Sequence, residues 1–301
     1  MRVLEYVIPP HCQGMAVKDF ARRELCLSAR MLTKQKQCEN GILKNGVPCR
    51  TIDTLSAGDV LTFSLPEEER SYPAEPVPLF ILWETEDYLA VDKPCGMPIH
   101  PSPGHNRDSL LNAVAYYYET TGQHHLFRPL YRLDKDTSGI VVLGKHRAAV
   151  SSAIAEKRYY AVCEGTLSGS GTVDIPIGLA PDSKILRICG SGERAVTHWT
   201  AAATEENHTL LGLKLDTGRT HQIRVHMAHL GHPLAGDDLY GGSREHLSRQ
   251  ALHCGWISLE NPALSLSITL FSEFPSDFRE AFPWLPEIRE IKREESSCPP
   301  V

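Results

Sequence analysis

The chain has no apolar run near the roughly 18 residues that a membrane-spanning helix requires, and residues 1–7 are too short and too interrupted to read as a secretory leader. Both absences point to the cytoplasm. None of the nine cysteines forms a CxxC pair and their number is odd, which disfavours a disulfide framework or a cysteine-based zinc site and leaves reduced thiols as the expectation. His221, His226, His229 and His232 lack the HExxH carboxylate and any nearby cysteine, so no zinc motif is read there. Gly169-Ser170-Gly171 has no third glycine or lysine at the offset that a nucleotide loop needs, and reads as a hairpin turn. Positive charge is also short. A net charge of −6 excludes coating of nucleic acid by bulk electrostatics, so any such contact must come from a local patch.

One patch is present. Between residues 14 and 50, eight cations (Lys18, Arg22, Arg23, Arg30, Lys34, Lys36, Lys44 and Arg50) face only three anions. Val17, Phe20, Ala21, Leu25 and Leu32 recur at near-helical spacing, which predicts two short helices with the arginines outward. Lys44-Asn45-Gly46 predicts a turn between two short strands, and Ala57-Gly58-Asp59 leads into a third at 60–63. The proline and acid between 66 and 78 predict a semi-rigid, solvated connector. The expected division is therefore a small unit at 12–65, a linker at 66–77, a large unit at 78–290 and a flexible tail at 291–301. A chain of 301 residues, 42% of them hydrophobic, can fill a large core and a small one. In the large unit, short strands alternate with two predicted helices, around 109–120 and 221–230, the second ended by Gly231 and Pro233.

The most informative run is Tyr131-Arg132-Leu133-Asp134-Lys135-Asp136-Thr137-Ser138-Gly139, followed by Ile140-Val141-Val142-Leu143. The apolar stretch is short, β-branched and bounded by Gly139 and Gly144, which predicts a buried strand entered through a charged loop. A carboxylate buried there costs several kcal/mol unless a cation or hydrogen bonds compensate, and Arg132 and Lys135 flank Asp134. On spacing alone, the run reads equally well as a solvated turn with surface ion pairs. Three further segments belong with it: Ala90-Val91-Asp92-Lys93-Pro94-Cys95-Gly96-Met97-Pro98-Ile99-His100-Pro101, Lys157-Arg158-Tyr159-Tyr160-Ala161-Val162-Cys163-Glu164-Gly165, and the run from Leu215-Asp216-Thr217-Gly218-Arg219-Thr220 to His221-Gln222-Ile223-Arg224-Val225-His226-Met227-Ala228. Taken singly they read as a proline-locked loop, an edge strand and a helix with Thr220 as its N-cap. Arg224 then projects one turn into that helix, where a bidentate pair would hold Asp134 ionised.

Lys18-Asp19-Phe20-Ala21-Arg22-Arg23, Gly41-Ile42-Leu43-Lys44-Asn45-Gly46 and Gly58-Asp59-Val60-Leu61 together resemble the S4-type RNA-binding module. That resemblance implies that Arg22, Arg23, Arg30 and Lys34 face structured RNA and contact phosphates. The four segments of the large unit resemble the RluA-type family of RNA pseudouridine synthases, and the likeness spans nearly the whole chain. It implies an α+β fold, in which a small S4-like N-terminal domain precedes a mixed, mainly antiparallel β-sheet catalytic domain with flanking helices and a central cleft. It also implies that Asp134 is the essential aspartate, that Tyr159 stacks on the target base, that Arg224 pairs with the aspartate, and that Arg132 fills the gap left by the flipped base. Two positions depart from the family pattern. Tyr131 stands where histidine is usual, and Asp108-Ser109 where Gly-Thr is common.

The implied reaction breaks the uridine N1–C1′ bond and remakes the link through C5, with no metal or cofactor required. Extruding a paired uridine costs a few kcal/mol of stacking. Asp134 must be anionic, either to attack C1′ or to take a sugar proton. Tyr159 or a water then removes the C5 proton, although an unperturbed tyrosine is a poor base near neutral pH. The expected partner is RNA, ribosomal RNA ahead of transfer RNA by resemblance, with no membrane partner and a monomeric chain. Lys93 and Lys135 read either as phosphate or loop-structuring cations or as solvated surface residues. Two other classes compete: a catalytically silent RNA-binding protein, which the intact Asp134, Tyr159 and Arg224 set opposes, and a hydrolase using Asp134 with His221 or His226, for which no oxyanion or metal partner is found.

Overall fold

The computed structural model describes residues 2–65 and 72–291, so part of the expected linker and most of the expected tail lie outside the described residues. The N-terminal part contains β1 (Arg2–Val7), α1 (Val17–Arg23), α2 (Ala29–Gln37), β2 (Ile42–Lys44), β3 (Val47–Pro48) and β4 (Val60–Leu65). Both helices lie where the apolar spacing puts them. Ser28 starts α2 by accepting a hydrogen bond from the Met31 amide, a usual serine N-cap. The strands form one sheet in the order β1-β4-β2-β3, so the unit begins at β1, ahead of the expected residue 12.

Its core of Phe20, Leu25, Leu32, Leu61 and Phe63 is completed by Ala148 and Ala263 from the other part of the chain. The seam is also polar. The Tyr6 hydroxyl donates to the Ala263 carbonyl at 2.6 Å, and Arg2 pairs with Glu86 at 3.1 Å and Asp87 at 3.0 Å.

The large unit runs through β5 (Phe80–Glu84), β6 (Tyr88–Lys93), α3 (Leu110–Thr120), β7 (Ser138–Gly144), α4 (Arg147–Ser151), β8 (Ile154–Glu164), β9 (Ser170–Asp174), β10 (Ile177–Leu179), β11 (Arg187–Cys189), β12 (Val196–Glu205), β13 (His208–Leu215), α5 (Gln222–His229), β14 (Leu252–Asn261), β15 (Leu266–Phe271) and α6 (Ser276–Ala281). Nine strands form one sheet in the order β5-β6-β7-β14-β8-β13-β12-β9, with β15 on β14, while β10 and β11 make a separate hairpin. Its pairings are antiparallel except β7 with β14. This is the mixed, mainly antiparallel α+β architecture expected.

β7 is buried at all seven positions, as its unbroken apolar run requires of a strand covered on both faces. Gly139 holds φ at +115°, and a Cβ there would collide with the Cys254 backbone, so only glycine lets β7 begin this close to β14. Ser109 caps α3 in a capping box with Asn112. Helices α3 and α5 cover one face, where Leu110, Val114, Ile223 and Met227 meet Val141 and Tyr159. Phe278 of α6 packs with Tyr160 and Trp256, and Ile291, where the tail was expected to start, is buried in the same cluster. Among the described residues, no helix is long and apolar enough to cross a membrane.

Candidate active site

Three segments distant in sequence meet at one pocket. Asp134 lies in the loop that enters β7, and Tyr159 lies on β8, where it pairs with Leu213 of β13 and Cys254 of β14. Arg224 stands on α5, which follows β13 through a short loop. Asp134, Tyr159, Arg224 and Arg132 all line one pocket, together with Leu215, His221 and Leu252. Polar and apolar side chains share the lining, as in a cleft that seats a flat ring and fixes its orientation.

The ion pair expected between Arg224 and Asp134 is present but loose, with Nη1 at 3.7 Å from the carboxylate. The bidentate partner is a different residue. Arg224 donates from Nε and Nη2 to the two oxygens of Asp237, both at 2.7 Å. Asp237 is wholly buried, whereas the Asp134 side chain keeps 26% of its exposure. Burial alone would lower the Arg224 pKa, but the Asp237 hydrogen bonds and charge, followed by the charge of Asp134, outweigh it and leave the guanidinium above its ordinary value. A fixed cation thus stands beside an accessible carboxylate. Asp237 was missed because a loop aspartate before a turn has no sequence mark of burial; the available signal was the adjacent pair Asp237-Asp238 just past the α5 stop.

Helix α5 starts one residue later than its predicted cap. His221, not Thr220, is the N-cap, in the left-handed region at φ 58°, and it makes no capping hydrogen bond with its side chain. The Gln222 Oε1 instead accepts from the Arg219 amide and the Thr217 hydroxyl, which closes the loop. The strained His221 places its ring on Tyr240, with Nδ1 and the hydroxyl 2.9 Å apart, and the Tyr240 ring lies 5.0 Å from the Arg224 guanidinium. Burial pushes the His221 imidazole down, with Asp134 opposing and Arg224 assisting. His226 is enclosed, its two ring nitrogens within hydrogen-bond reach of Thr197 and the Ile175 carbonyl, so of the two histidines the hydrolase reading offers only His221 lines the pocket.

The Asp134 loop is held from beneath by two buried cations. Lys93 is 1% exposed and donates to the carbonyls of Pro94, Met97 and Lys135, each at 2.9 Å. Lys93 is thus a loop-structuring cation and not a solvated surface residue. Burial pushes its ammonium down to about 7, against the charges of Cys95 and Asp136. Arg249 pairs with Asp277 at 2.7 Å and donates to the Asp136 carbonyl at 3.2 Å and the Ser138 hydroxyl at 3.4 Å. Lys135 is exposed and lies 3.9 Å from Asp136.

Burial first, then the charges of Cys254 and Asp134, push the Tyr159 phenol well above its ordinary value, which disfavours a phenoxide in the cleft. Tyr131, at the position where the family usually has histidine, is tied to the strand it precedes: its hydroxyl donates to the Ile140 carbonyl at 2.8 Å and its ring carries the Lys157 ammonium at 4.5 Å. Arg132 is exposed at the rim. Arg22 and Arg23 in the last turn of α1 and Arg30 on α2 are exposed on the N-terminal unit, while Lys34 lies at the seam between the units.

The comparisons with known proteins give the class of this fold and cleft, an RNA-modifying isomerase. The model of the RNA pseudouridylate synthase family matches residues 87–229, and the chain belongs to that family, in its RluA-type branch. Its relatives include the RNA pseudouridine synthase YjbO of Bacillus subtilis, 42% identical over 87% of this chain and 96% of that protein. The ribosomal large subunit pseudouridine synthase D of Pseudomonas aeruginosa is 33% identical over 83% of this chain and 84% of its own length. Among solved structures, the human RNA pseudouridylate synthase domain containing 1 matches with a TM-score of 0.59 at 22% identity, over 77% of this chain and 100% of that one, a likeness of fold.

Proposed function

We propose that the chain converts specific uridines of large-subunit ribosomal RNA to pseudouridine by base flipping and Asp134-dependent cleavage of the glycosidic bond. The observation that carries this reading is the Asp134 carboxylate at the pocket mouth, 3.7 Å from an Arg224 guanidinium that Asp237 holds charged and in place. An anion so placed can attack C1′ or take a sugar proton. The Arg224 charge favours the carboxylate form either way.

Arg132 at the rim occupies the vacated place in the stack, and Tyr159 in the floor receives the extruded base. The N1–C1′ bond breaks, the base turns, C5 bonds to C1′, and the C5 proton leaves to water while N1 gains one. Arg22, Arg23, Arg30 and Lys34 hold phosphates as an S4-like domain would. Ribosomal RNA is preferred to transfer RNA because the Pseudomonas aeruginosa relative carries that substrate in its name. The enzyme works as a cytoplasmic monomer in this reading.

The test is tritium release from RNA labelled at uridine C5, run on total ribosomal and total transfer RNA. Release from ribosomal RNA that disappears in Asp134→Asn is the expected result. Release from transfer RNA alone would overturn the substrate, and tight binding without release from either pool would favour the silent binder.

A further inference from the structure

Among the residues that line the Asp134 cleft, His221 alone has a left-handed backbone. At φ 58° it occupies a region where glycine or asparagine sits with less strain, and its side chain makes no capping hydrogen bond for α5. The helix draws nothing from the imidazole, so the role of a histidine at this strained position belongs to the cleft.

The Tyr240 hydroxyl fixes which ring nitrogen carries the proton. It accepts from the Arg187 amide of β11 at 3.1 Å and lies 2.9 Å from His221 Nδ1. A phenol has one proton, and among the described residues Nδ1 is the only acceptor within reach of it, so the hydroxyl donates to Nδ1. Burial raises the Tyr240 phenol, which keeps that proton, and lowers the His221 imidazole against the opposing charge of Asp134. His221 is then neutral, with Nδ1 taken up as an acceptor and its own proton on Nε2.

Nε2 has no protein partner among the described residues, and it is not shut off from solvent. The cleft therefore holds a neutral, oriented N–H donor in the same lining as the Asp134 carboxylate and the Arg224 cation. When the N1–C1′ bond breaks, the electron pair stays with the uracil ring, and its carbonyl oxygens share the charge. A preset donor grips such an oxygen more strongly as the charge grows, and a neutral one does so without competing with Arg224 for Asp134.

We propose that His221 Nε2–H donates to a carbonyl oxygen of the target uracil, with Tyr240 as the positioning residue that orients the ring and keeps the proton on Nε2. This contact rests on the isomerase reading and adds to it a partner for the departing base.

Two measurements on the full chain test it. Heteronuclear NMR of the imidazole nitrogens should show His221 as the Nε2–H tautomer at neutral pH, and as a mixture of tautomers in Tyr240→Phe. An Nδ1–H or doubly protonated His221 in the wild type overturns the proposal whatever the activity. The second measurement is single-turnover tritium release from ribosomal RNA transcripts made with uridine, 2-thiouridine or 4-thiouridine, sulfur being a poorer acceptor than oxygen. His221→Gly and His221→Asn both suit a left-handed φ, so they should melt as the wild type does, yet slow release about a hundredfold with little change in RNA affinity. Tyr240→Phe should slow it about tenfold, and no further loss should follow when it is added to His221→Gly. One of the two thio substitutions should slow the wild type and leave the His221 variants almost unaffected. Unchanged release in both His221 variants, or thio effects equal in wild type and variants, removes the contact and leaves the isomerase standing. No release by the wild type from any RNA fails the isomerase reading, and the contact falls with it.

Discussion

Arg224 is locked to Asp237 by two hydrogen bonds of 2.7 Å, and only its remaining nitrogen, Nη1, is turned toward Asp134, at 3.7 Å. Asp237 therefore positions the cation that serves Asp134. Removing one partner of a buried pair costs roughly 3–5 kcal/mol because the other charge is left uncompensated. Asp237→Ala is expected to lower stability by about that amount in urea denaturation and to reduce turnover at saturating RNA with little change in RNA affinity. Wild-type turnover in a folded Asp237→Ala would show that Arg224 orients itself.

Asp134→Asn should leave fold and RNA affinity close to wild type, because the side chain is partly exposed and carries only the loose contact. Turnover should vanish. Residual tritium release above a few per cent of wild type would sink the assignment.

Acid should weaken the fold through His253. Burial pushes this imidazole down to about 4, its nitrogens being within hydrogen-bond reach of the Ser138 hydroxyl and the Ser272 carbonyl. The unfolded chain then binds the extra proton between about 6.5 and 4. Stability contributed by neutral His253 is complete above about 6.5 and is lost as pH falls toward 4, by up to roughly 3 kcal/mol. Urea midpoints from pH 7 to 4 should show this slope, and His253→Gln should flatten it.

Gly139→Ala would force a side chain into the Cys254 backbone from a left-handed φ of +115°. A loss of more than about 3 kcal/mol is expected from the combined clash and strain, with turnover falling as the Asp134 loop shifts. A thermal melt within a few degrees of wild type would show that β7 and β14 can separate there.

Deleting residues 1–65 removes Tyr6 and Arg2 from the seam and uncovers Ala148 and Ala263. The three clusters around the nine-stranded sheet keep their own members, so the remainder should stay folded with a lower melting temperature and weaker RNA binding. An insoluble product would show that the seam is part of the core.

What the sequence made legible was local. Both helices of the N-terminal unit, the helix after Ser109, the β7 run and the Asp134 loop follow from spacing and turn residues, which act over a few residues. The partners that hold the site were less legible. Lys93 is fixed by three main-chain carbonyls, and carbonyls leave no trace in residue types. Asp237 owes its role to burial against Arg224, a tertiary fact. The parallel union of β7 with β14 joins residues more than a hundred positions apart and has no local cause.

β14 enters the sheet between β7 and β8, although it is made after both. While the chain is being synthesised, the centre of the sheet stays open until β14 has left the ribosome, since long-range pairings form only when both strands are available. Cys254 and His253 then close the wedge beneath Tyr159 and Ser138. A nascent chain can thus form most of the contacts of its N-terminal sheet early, yet its cleft has no complete floor until β14 is in place.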